Sequence, residues 1–359
     1  MQPFVYDGLP SRVVFGQGTL SRLAEEIERL GSRRALVLAT PQQQEQARAV
    51  LEQLGERGAG LFTEAAMHTP VEVTERAMRV VEELGVDCTV AIGGGSTIGL
   101  GKAIALRTGL PQVAIPTTYA GSEMTPILGE TRDGLKTTQR TLEVLPETVI
   151  YDVDLTLSLP VGMSGTSGIN AIAHAVEALY ARDRNPVISL MAEEGIAALA
   201  RSLPVIAADP GNAEARADAL YGAWLCGTCL GSVGMSLHHK LCHTLGGSFD
   251  LPHAETHTIV LPHAVAYNAP AAPEAMSRIA RALGCEDPAA GLFDLARAVG
   301  APTALEDIGL KPGDVDRATE IATRNPYWNP REVEAEGIHR LLSHALVGRR
   351  PVSEEGAQS

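Results

Sequence analysis

The chain has 359 residues, of which 45% are hydrophobic and 20% are charged, values that fit a globular protein of one large or two smaller domains. Its formal net charge of -14 argues against nucleic acid or an anionic membrane as a partner. Five cysteines, no apolar leader after Met1 and no run of about eighteen apolar residues predict a cytoplasmic protein with reduced thiols.

The first half of the chain alternates short apolar runs with helical patterns. Buried strands are predicted at Val13–Phe15, Ala35–Thr40, Leu61–Phe62, Asp87–Ile92 and Gln112–Ile115. An amphipathic pattern over residues 71–85 predicts one of the helices between them. Strands and helices that alternate in this way predict a parallel α/β sheet, here within a domain of residues 1–159.

The second half of the chain carries no further strand pattern. Long apolar-periodic stretches over residues 186–202, 213–230 and 273–284 predict helices, so residues 160–351 are expected to form an all-α domain. The polar residues 352–359 are expected to form a tail. Cys226 and Cys229 have the spacing of a redox or metal motif, but their apolar helical surroundings favour two small buried side chains.

A glycine-rich turn follows the predicted strand Asp87–Ile92. Its residues are Gly93, Gly94, Gly95 and Ser96. A strand, such a turn and a helix together present backbone N–H groups to a phosphate, although a tight turn without a ligand is the alternative. Ile98 stands where the third glycine of the usual dinucleotide fingerprint would be. We therefore expect a phosphate site that by itself does not distinguish a mononucleotide from a dinucleotide.

A second polar loop follows the next strand, at the same expected edge of the sheet. It contains Thr117 and Thr118, and Lys136 lies further along the chain, where it could reach a ribose or phosphate. Ligands of open α/β sheets bind outside the carboxyl ends of the strands, which strengthens the prediction of a nucleotide site. Because the strand Ala35–Thr40 ends without an acidic residue, the choice between NADH and NADPH stays open.

Histidines and one amide recur at helical spacing in the second half of the chain. Asn170 precedes His174 by four residues, and His239 precedes His243 by four, so each pair shares a helix face. With His253 these residues have the pattern of a metal cage in which one ligand is wrong, because divalent metals favour imidazoles together with a carboxylate. On these residues alone, the loss of one negative charge weakens the case for a bound metal.

Several motifs resemble those of the iron-containing alcohol dehydrogenase superfamily. They are Phe15-Gly16-Gln17-Gly18-Thr19-Leu20, Gly93-Gly94-Gly95-Ser96, Gly121-Ser122-Glu123 and Gly168-Ile169-Asn170-Ala171-Ile172-Ala173-His174. The resemblance continues through His239, His243 and His253 and covers nearly the whole chain in order. It implies the dehydroquinate synthase-like fold, with a nucleotide-binding α/β domain, an all-α domain, a cleft between them and a homodimer.

Within that superfamily the chain resembles the maleylacetate reductases. The stretches that carry this closer resemblance are Pro116–Pro126, Leu251–His257 and Ala266–Ala271. It implies an oxidoreductase that uses NADH or NADPH to reduce the CH–CH double bond of 2-maleylacetate, giving 3-oxoadipate in the catabolism of aromatic compounds. The expected partner is therefore a small dicarboxylate keto acid, with no nucleic acid and no membrane.

The resemblance also bears on the metal. The metal-binding members would use an aspartate at position 170 together with His174, His239 and His253, and Asn170 replaces that aspartate here. Where they have an aspartate after the glycine turn this chain has Gly99, although Lys102 is retained. Both departures match a reductase that works without a bound metal, so no metal is expected.

The expected substrate gives the histidines a chemical role. Hydride addition to a double bond conjugated to a ketone places negative charge on the ketone oxygen, which positioned donors must stabilise. We expect His243 or His253 to donate the proton that follows. His174, His239 and the amide of Asn170 are expected to orient the oxyanion. Candidate contacts for the substrate carboxylates are Tyr119, His238, Lys240 and Arg331.

Three alternatives remain open at this point. The nearest is a metal-dependent alcohol or polyol dehydrogenase of the same superfamily, which would need added iron or zinc and would oxidise short alcohols with NAD. The second is a lyase of related fold, such as a dehydroquinate synthase, which would show no net consumption of NADH. The third is a nucleotide-binding protein without enzymatic activity.

Overall fold

The computed structural model describes residues 3–353 of the chain and all side chains among them except that of Lys136. The chain divides into an α/β unit, Gly8–Leu159, and a helical unit that begins at Pro160 and also includes the N-terminal segment up to Asp7. That segment was assigned to the α/β domain by the sequence analysis. Its described residues, 3–7, form no strand or helix, so the element pattern carried no information about where they pack.

The α/β unit contains a six-stranded sheet within its described residues, ordered β1-β8-β5-β4-β2-β3. All of the neighbouring strands run parallel. These strands are β1 (Arg12–Gly16), β2 (Ala35–Leu38), β3 (Gly58–Phe62), β4 (Cys88–Gly93), β5 (Gln112–Pro116) and β8 (Thr148–Asp152). The strands β6 (Ile127–Arg132) and β7 (Leu135–Arg140) form a separate antiparallel hairpin. The α-helices of this unit are α1 (Leu23–Arg29), α2 (Gln44–Leu54), α3 (Val71–Leu84) and α4 (Gly95–Thr108).

The parallel sheet predicted from the apolar runs is confirmed, and its burial explains why those runs are continuous. Every residue of β2, β4, β5 and β8 is buried, as expected for strands of a parallel sheet that is covered on both faces. The strand β8, which lies between β1 and β5, has no counterpart in the sequence analysis. It follows a hairpin rather than a helix, so the strand–helix alternation that revealed the other strands did not extend to it.

The all-α character predicted for the second half is also confirmed. Its helices are α5 (Val161–Tyr180), α6 (Pro186–Ala208), α7 (Ala213–Ser232), α8 (Leu237–Phe249), α9 (His253–Asn268), α10 (Pro273–Leu283), α11 (Pro288–Ala298), α12 (Val315–Thr323) and α13 (Ala335–Leu346). Among residues 3–353 no single helix is long and apolar enough to cross a membrane, and α7 and α8 pass that test only as a pair bent by 94°. The cytoplasmic location stays a prediction.

The helix α5 is the centre of the helical unit and positions its polar residues. Residues 164–180 of α5 are all buried. Small residues help to make this possible: a Cβ at Gly168 would lie 2.7 Å from the end of the Leu203 side chain, so a larger residue would require that leucine of α6 to move. Asn170, His174 and Glu177 follow one another at spacings of four and three, which places them on one helix face in an otherwise apolar environment.

Candidate active site

The glycine-rich turn joins β4 to α4 in the conformation that the sequence predicts. Gly93 has φ 151°, and a Cβ there would lie 2.6 Å from both Gln43 Oε1 and Thr97 Oγ1, so only glycine is tolerated. Gly94 is the N-cap of α4 and packs against the Thr118 side chain, whereas a Cβ at Gly95 would meet no atom within 4 Å. Open space in front of a helix N-terminus is the arrangement that a phosphate requires.

The structure brings the second polar loop beside this turn. Gly93 and Pro116 are partners in the β4–β5 register, and the Thr117 backbone N–H donates to the Gly93 carbonyl at 3.1 Å. Gln43 Nε2 donates to Thr117 Oγ1 at 2.9 Å, a contact that the sequence analysis did not find. The predicted cofactor-binding residues Gly93–Ser96, Thr117 and Thr118 therefore meet at one edge of the sheet. The side chain of Lys136 lies outside the described residues.

The carboxylate of Glu177 is the hub of the helical unit's polar cluster. It is fully buried and accepts from the backbone N–H groups of Ser236 and His238 and from His239 Nδ1, each at 2.7 Å. These contacts tie α5 to the start of α8. Because Nδ1 of His239 donates to a carboxylate, its Nε2 carries a lone pair, the form in which histidines bind metals or accept protons.

The imidazoles of α5, α8 and α9 lie close together around Glu177. The ring centroids of His174 and His239 are 5.2 Å apart, and those of His239 and His257 are 5.0 Å apart. His253, at the start of α9, lies 4.3 Å from the ring of His257. The cluster of histidines that the sequence spacing predicts is therefore formed, with His257 as an additional central member.

Several buried atoms of this cluster have no hydrogen-bond partner among the described residues. They are Asn170 Oδ1, His174 Nδ1, His239 Nε2 and His257 Nε2. An unpaired buried polar atom costs about 1–3 kcal/mol, so a group of them in one place indicates a ligand that the chain itself does not supply. An amide oxygen and imidazole nitrogens are all competent metal ligands.

Burial controls the charge of the inner histidines. It lowers the pKa of His174 well below its ordinary value, and the neighbouring His239 and His253 lower it further. Burial likewise lowers the pKa values of His238 and His257, again with help from the imidazoles around them. These side chains are therefore neutral at physiological pH, which is the protonation state that metal ligation needs.

The two predicted proton donors lie at the exposed side of the cluster. His243 and His253 are both exposed, unlike His174 and His239. Nδ1 of His243 lies 3.1 Å from the hydroxyl of Tyr327, and Lys240 Nζ lies 5.7 Å from the centre of the Tyr327 ring. An exposed imidazole, a phenol and an ammonium group thus lie close together at this side of the cluster.

Three of the four predicted carboxylate contacts are buried or hold other protein groups, and their role stays a prediction. His238 is completely buried, and its Nε2 is hydrogen-bonded to His257 Nδ1 at 3.0 Å. Tyr119 is completely buried in the α/β unit. Arg331 donates to the Tyr267 carbonyl at 2.8 Å and stacks on the Tyr267 ring, so it anchors its own loop. Lys240, which is only partly buried, lies beside Tyr327. Residue type and spacing alone do not reveal this difference in burial.

Three residues of the site were missed or left undecided by the sequence analysis. Glu177, His257 and Tyr327 were not among the site residues predicted from the sequence. An aromatic pair in a polar loop, Tyr327-Trp328, was the available signal, and both residues are indeed exposed.

Comparison with known proteins identifies relatives over the full chain. Residues 10–153 match the profile of the iron-containing alcohol dehydrogenases, and residues 164–346 match that of the C-terminal domain of the Fe-containing alcohol dehydrogenase family. Maleylacetate reductase of Rhizobium sp. strain MTP-10005 is 58% identical over 98% of this chain and 100% of its own. The crystal structure of maleylacetate reductase from Agrobacterium tumefaciens is 59% identical, covers 98% of this chain and 100% of its own, and has a TM-score of 0.95.

These comparisons overturn the expectation that no metal is bound. Both matching profiles are of iron-containing enzymes. A solved iron-containing alcohol dehydrogenase from Corynebacterium glutamicum is 46% identical, with a TM-score of 0.93 over 97% of this chain and 98% of its own. The expectation rested on the missing charge at Asn170, but an amide oxygen remains a ligand atom. Glu177, behind His239, supplies a buried negative charge that the sequence did not reveal.

Proposed function

Because the chain belongs to the iron-containing alcohol dehydrogenase family, we propose that it is an NAD(P)H-dependent reductase of 2-maleylacetate. The observation that carries the proposal is the 58% identity, over the full length of both proteins, to enzymes named maleylacetate reductase. The product is 3-oxoadipate, and the reaction belongs to the catabolism of aromatic compounds. The homodimer and the exclusion of nucleic acid stay predictions from the sequence.

The glycine turn and the threonine loop of the α/β unit are the proposed cofactor contacts. The N–H groups at the start of α4 face open space at Gly95 and suit the pyrophosphate of a dinucleotide. Thr117 is held by Gln43, so its hydroxyl is fixed rather than free to rotate. A side chain at Gly99 would collide with Thr69 Oγ1, which explains why no aspartate follows the turn.

The reaction transfers a hydride from the nicotinamide to the carbon of the double bond that lies β to the ketone. The electron pair of the double bond moves to the ketone oxygen, giving an enolate, and a proton then adds to the carbon next to the ketone. One reduced nucleotide and one proton are consumed for each substrate, and the ketone itself is regenerated. Most of the barrier to this step is the charge that develops on the ketone oxygen.

The residues of the helical unit fit this chemistry. Asn170, His174, His239 and His253 are the residues that would hold a metal, which would supply Lewis acidity towards the developing oxyanion. The sequence left His243 and His253 as candidate proton donors; because His253 is in the set that would hold the metal, His243, an exposed histidine at the rim of the cluster, is the proposed donor. Lys240 is the proposed contact for a substrate carboxylate.

The direct test follows the absorbance of NADH and of NADPH with freshly generated maleylacetate, with the product identified by mass and NMR. The proposal predicts stoichiometric oxidation of the nucleotide and a product that has gained two hydrogens at the double bond while keeping its ketone. Oxidation of short alcohols with NAD, without turnover of maleylacetate, would instead identify an alcohol dehydrogenase. Turnover of another substrate without net consumption of NADH would indicate a lyase.

A further inference from the structure

A second group of ligand-type side chains lies beside the proposed active site. His238 and Cys242 are four residues apart on α8, and His257 comes from α9. The exposed fraction is 0% for both histidines and 2% for Cys242. One nitrogen or sulfur atom of each residue lies within 4.8 Å of those of the other two. None of the three belongs to the set formed by Asn170, His174, His239 and His253.

The distances in this triad suit a tetrahedral metal centre. His238 Nε2 lies 3.0 Å from His257 Nδ1 and 3.7 Å from Cys242 Sγ. Tetrahedral zinc, with bonds of about 2.05 Å to nitrogen and about 2.3 Å to sulfur, separates two nitrogens by about 3.3 Å and a nitrogen from a sulfur by about 3.6 Å. These two distances therefore lie within a few tenths of an ångström of those in a zinc site, and the ligand atoms of His257 and Cys242 lie within 4.8 Å of each other.

Hydrogen bonds alone satisfy the triad poorly. The 3.0 Å contact between His238 Nε2 and His257 Nδ1 is the one short hydrogen bond within the triad in the described part of the chain. The Cys242 thiol makes only long contacts of 3.7 and 3.9 Å with the His238 ring. A cluster kept only for packing would be better served by apolar residues, because buried polar groups cost free energy unless they are paired.

The charge balance also permits a divalent ion in this dry location. Binding would release the thiol proton of Cys242, so the ion and the thiolate together would carry one positive charge. The carboxylate of Glu177 accepts from the His238 backbone N–H at 2.7 Å and also from His239 Nδ1, so it adds negative charge next to both groups of ligands. The thiolate offsets half of the charge of the ion in the triad, which lowers the cost of burying it.

We propose that His238, Cys242 and His257 form a second metal site that binds a soft divalent ion such as Zn²⁺. The sulfur ligand separates this site chemically from the neighbouring one, whose ligand atoms are nitrogen and oxygen. Three protein ligands leave a fourth position for water. The proposal is independent of the substrate and of which nucleotide the enzyme uses.

Cobalt is the probe that distinguishes the two sites, because only a thiolate ligand gives an intense sulfur-to-cobalt charge-transfer band in the near ultraviolet. The full chain is produced in minimal medium with Co²⁺, so that the ion is present while the buried triad folds. We expect this band in the wild-type protein and its complete loss in Cys242→Ser. The matched control is Cys229→Ser, another fully buried cysteine, which lies on α7 and contacts the Ile188 carbonyl. It should keep the band.

A wild-type cobalt protein without the charge-transfer band would overturn the proposal, and so would a band that survives in Cys242→Ser. If Cys242→Ser does not fold, X-ray absorption of the zinc-loaded wild-type protein gives the answer without a variant. A sulfur neighbour of zinc at about 2.3 Å supports the site, and a shell of nitrogen and oxygen only contradicts it. None of these readouts depends on catalytic activity, so they stand apart from the test with maleylacetate.

Discussion

The α/β unit and the helical unit each bury a polar group that water would otherwise solvate: Lys102 in the first and the histidines around Glu177 in the second. Lys102 is fully buried, yet its Nζ reaches four oxygens at 2.6 to 2.9 Å. Those oxygens are Ser122 O, Thr125 O, Thr125 Oγ1 and Ile127 O. Burial lowers the pKa of Lys102 to about 7, while the surrounding oxygens favour its charged form.

The histidine cluster differs in that its atoms are left unpaired. Asn170 Oδ1, His174 Nδ1 and His239 Nε2 have no partners in the described residues, although each lies in a dry environment. Residue type does not distinguish the two regions, since both contain ionisable groups on buried helices. The two regions differ in whether their hydrogen-bonding capacity is met within the chain. A buried group whose hydrogen bonds are all made stabilises the fold, whereas a buried group with unpaired atoms indicates a ligand site.

The comparison predicts its largest effect for the loss of the saturated lysine. Replacing Lys102 by Met keeps the stem but removes the buried ammonium that donates to four oxygens, so we expect the free energy of unfolding to fall by about 4 kcal/mol. Urea denaturation measures it. Lys311→Met, at an exposed lysine, is the control and should change stability by less than about 0.5 kcal/mol. Equal stabilities of the two variants would contradict the claim that the hydrogen bonds of Lys102 stabilise the fold.

The second prediction concerns His243, the exposed histidine beside Tyr327. Replacing His243 by alanine should lower kcat roughly a hundredfold, the low end for general acid catalysis. Stability should change little, because the side chain is exposed. His339→Ala is the control, since His339 is an exposed histidine of α13 that pairs with Asp316. A near-normal rate in His243→Ala would contradict its assignment as the proton donor.

The third prediction concerns the pH dependence of stability that arises from His263, a buried neutral histidine away from the site. Burial lowers the pKa of His263 to about 3, so between about pH 6.5 and 3 the unfolded chain binds a proton that the folded chain does not. Its contribution therefore makes stability fall as the pH falls through that range, by about 2 kcal/mol between pH 6.5 and 5.

The variant His263→Gln isolates this contribution, because glutamine does not titrate. Urea unfolding of the wild type and the variant at pH 7.5 and pH 5 should show their difference in stability shifting by about 2 kcal/mol in favour of the variant at the lower pH. His339→Gln, at an exposed histidine, should show no such shift. Parallel pH curves for wild type and His263→Gln would mean that His263 is protonated in the folded protein.

The fourth and smallest effect is expected from the hub that holds the unsaturated region in place. Glu177→Gln keeps the shape of the side chain but weakens the hydrogen bond that it accepts from His239 Nδ1. The affinity for iron should therefore fall about tenfold or more. The chelator concentration that removes iron measures this change. Glu193→Gln, at a glutamate of α6 that pairs with Arg278, is the matched control. Unchanged iron retention would show that Glu177 serves only to join α5 and α8.

The fold was predictable to the extent that each element carries its own pattern. The strands β2, β4 and β5 are continuous apolar runs, and the helices of the second half are apolar-periodic, so the two classes of domain followed directly. β8 did not follow, because a short strand after a hairpin lacks the helix that marks a βαβ unit. The boundary at the N-terminus was beyond reach for a segment without any element.

The site was predictable where spacing alone sets position and not where burial decides. Helical spacing placed Asn170 beside His174, and adjacent strands placed Thr117 beside Gly93. Spacing could not show that His238 turns inwards to His257. The expectation of no metal failed for the same reason: it counted the charge lost at position 170 and could not see the Glu177 carboxylate behind His239.

The most direct test of the central claim separates the two units by their roles. Rapid mixing of His239→Ala with NADH and maleylacetate measures cofactor binding and hydride transfer in one experiment. The account predicts that NADH binds with unchanged affinity, because its contacts lie in the α/β unit, while the rate of hydride transfer falls by at least about a hundredfold. Hydride transfer at the wild-type rate in a folded His239→Ala protein would contradict the placement of the chemistry in the histidine cluster.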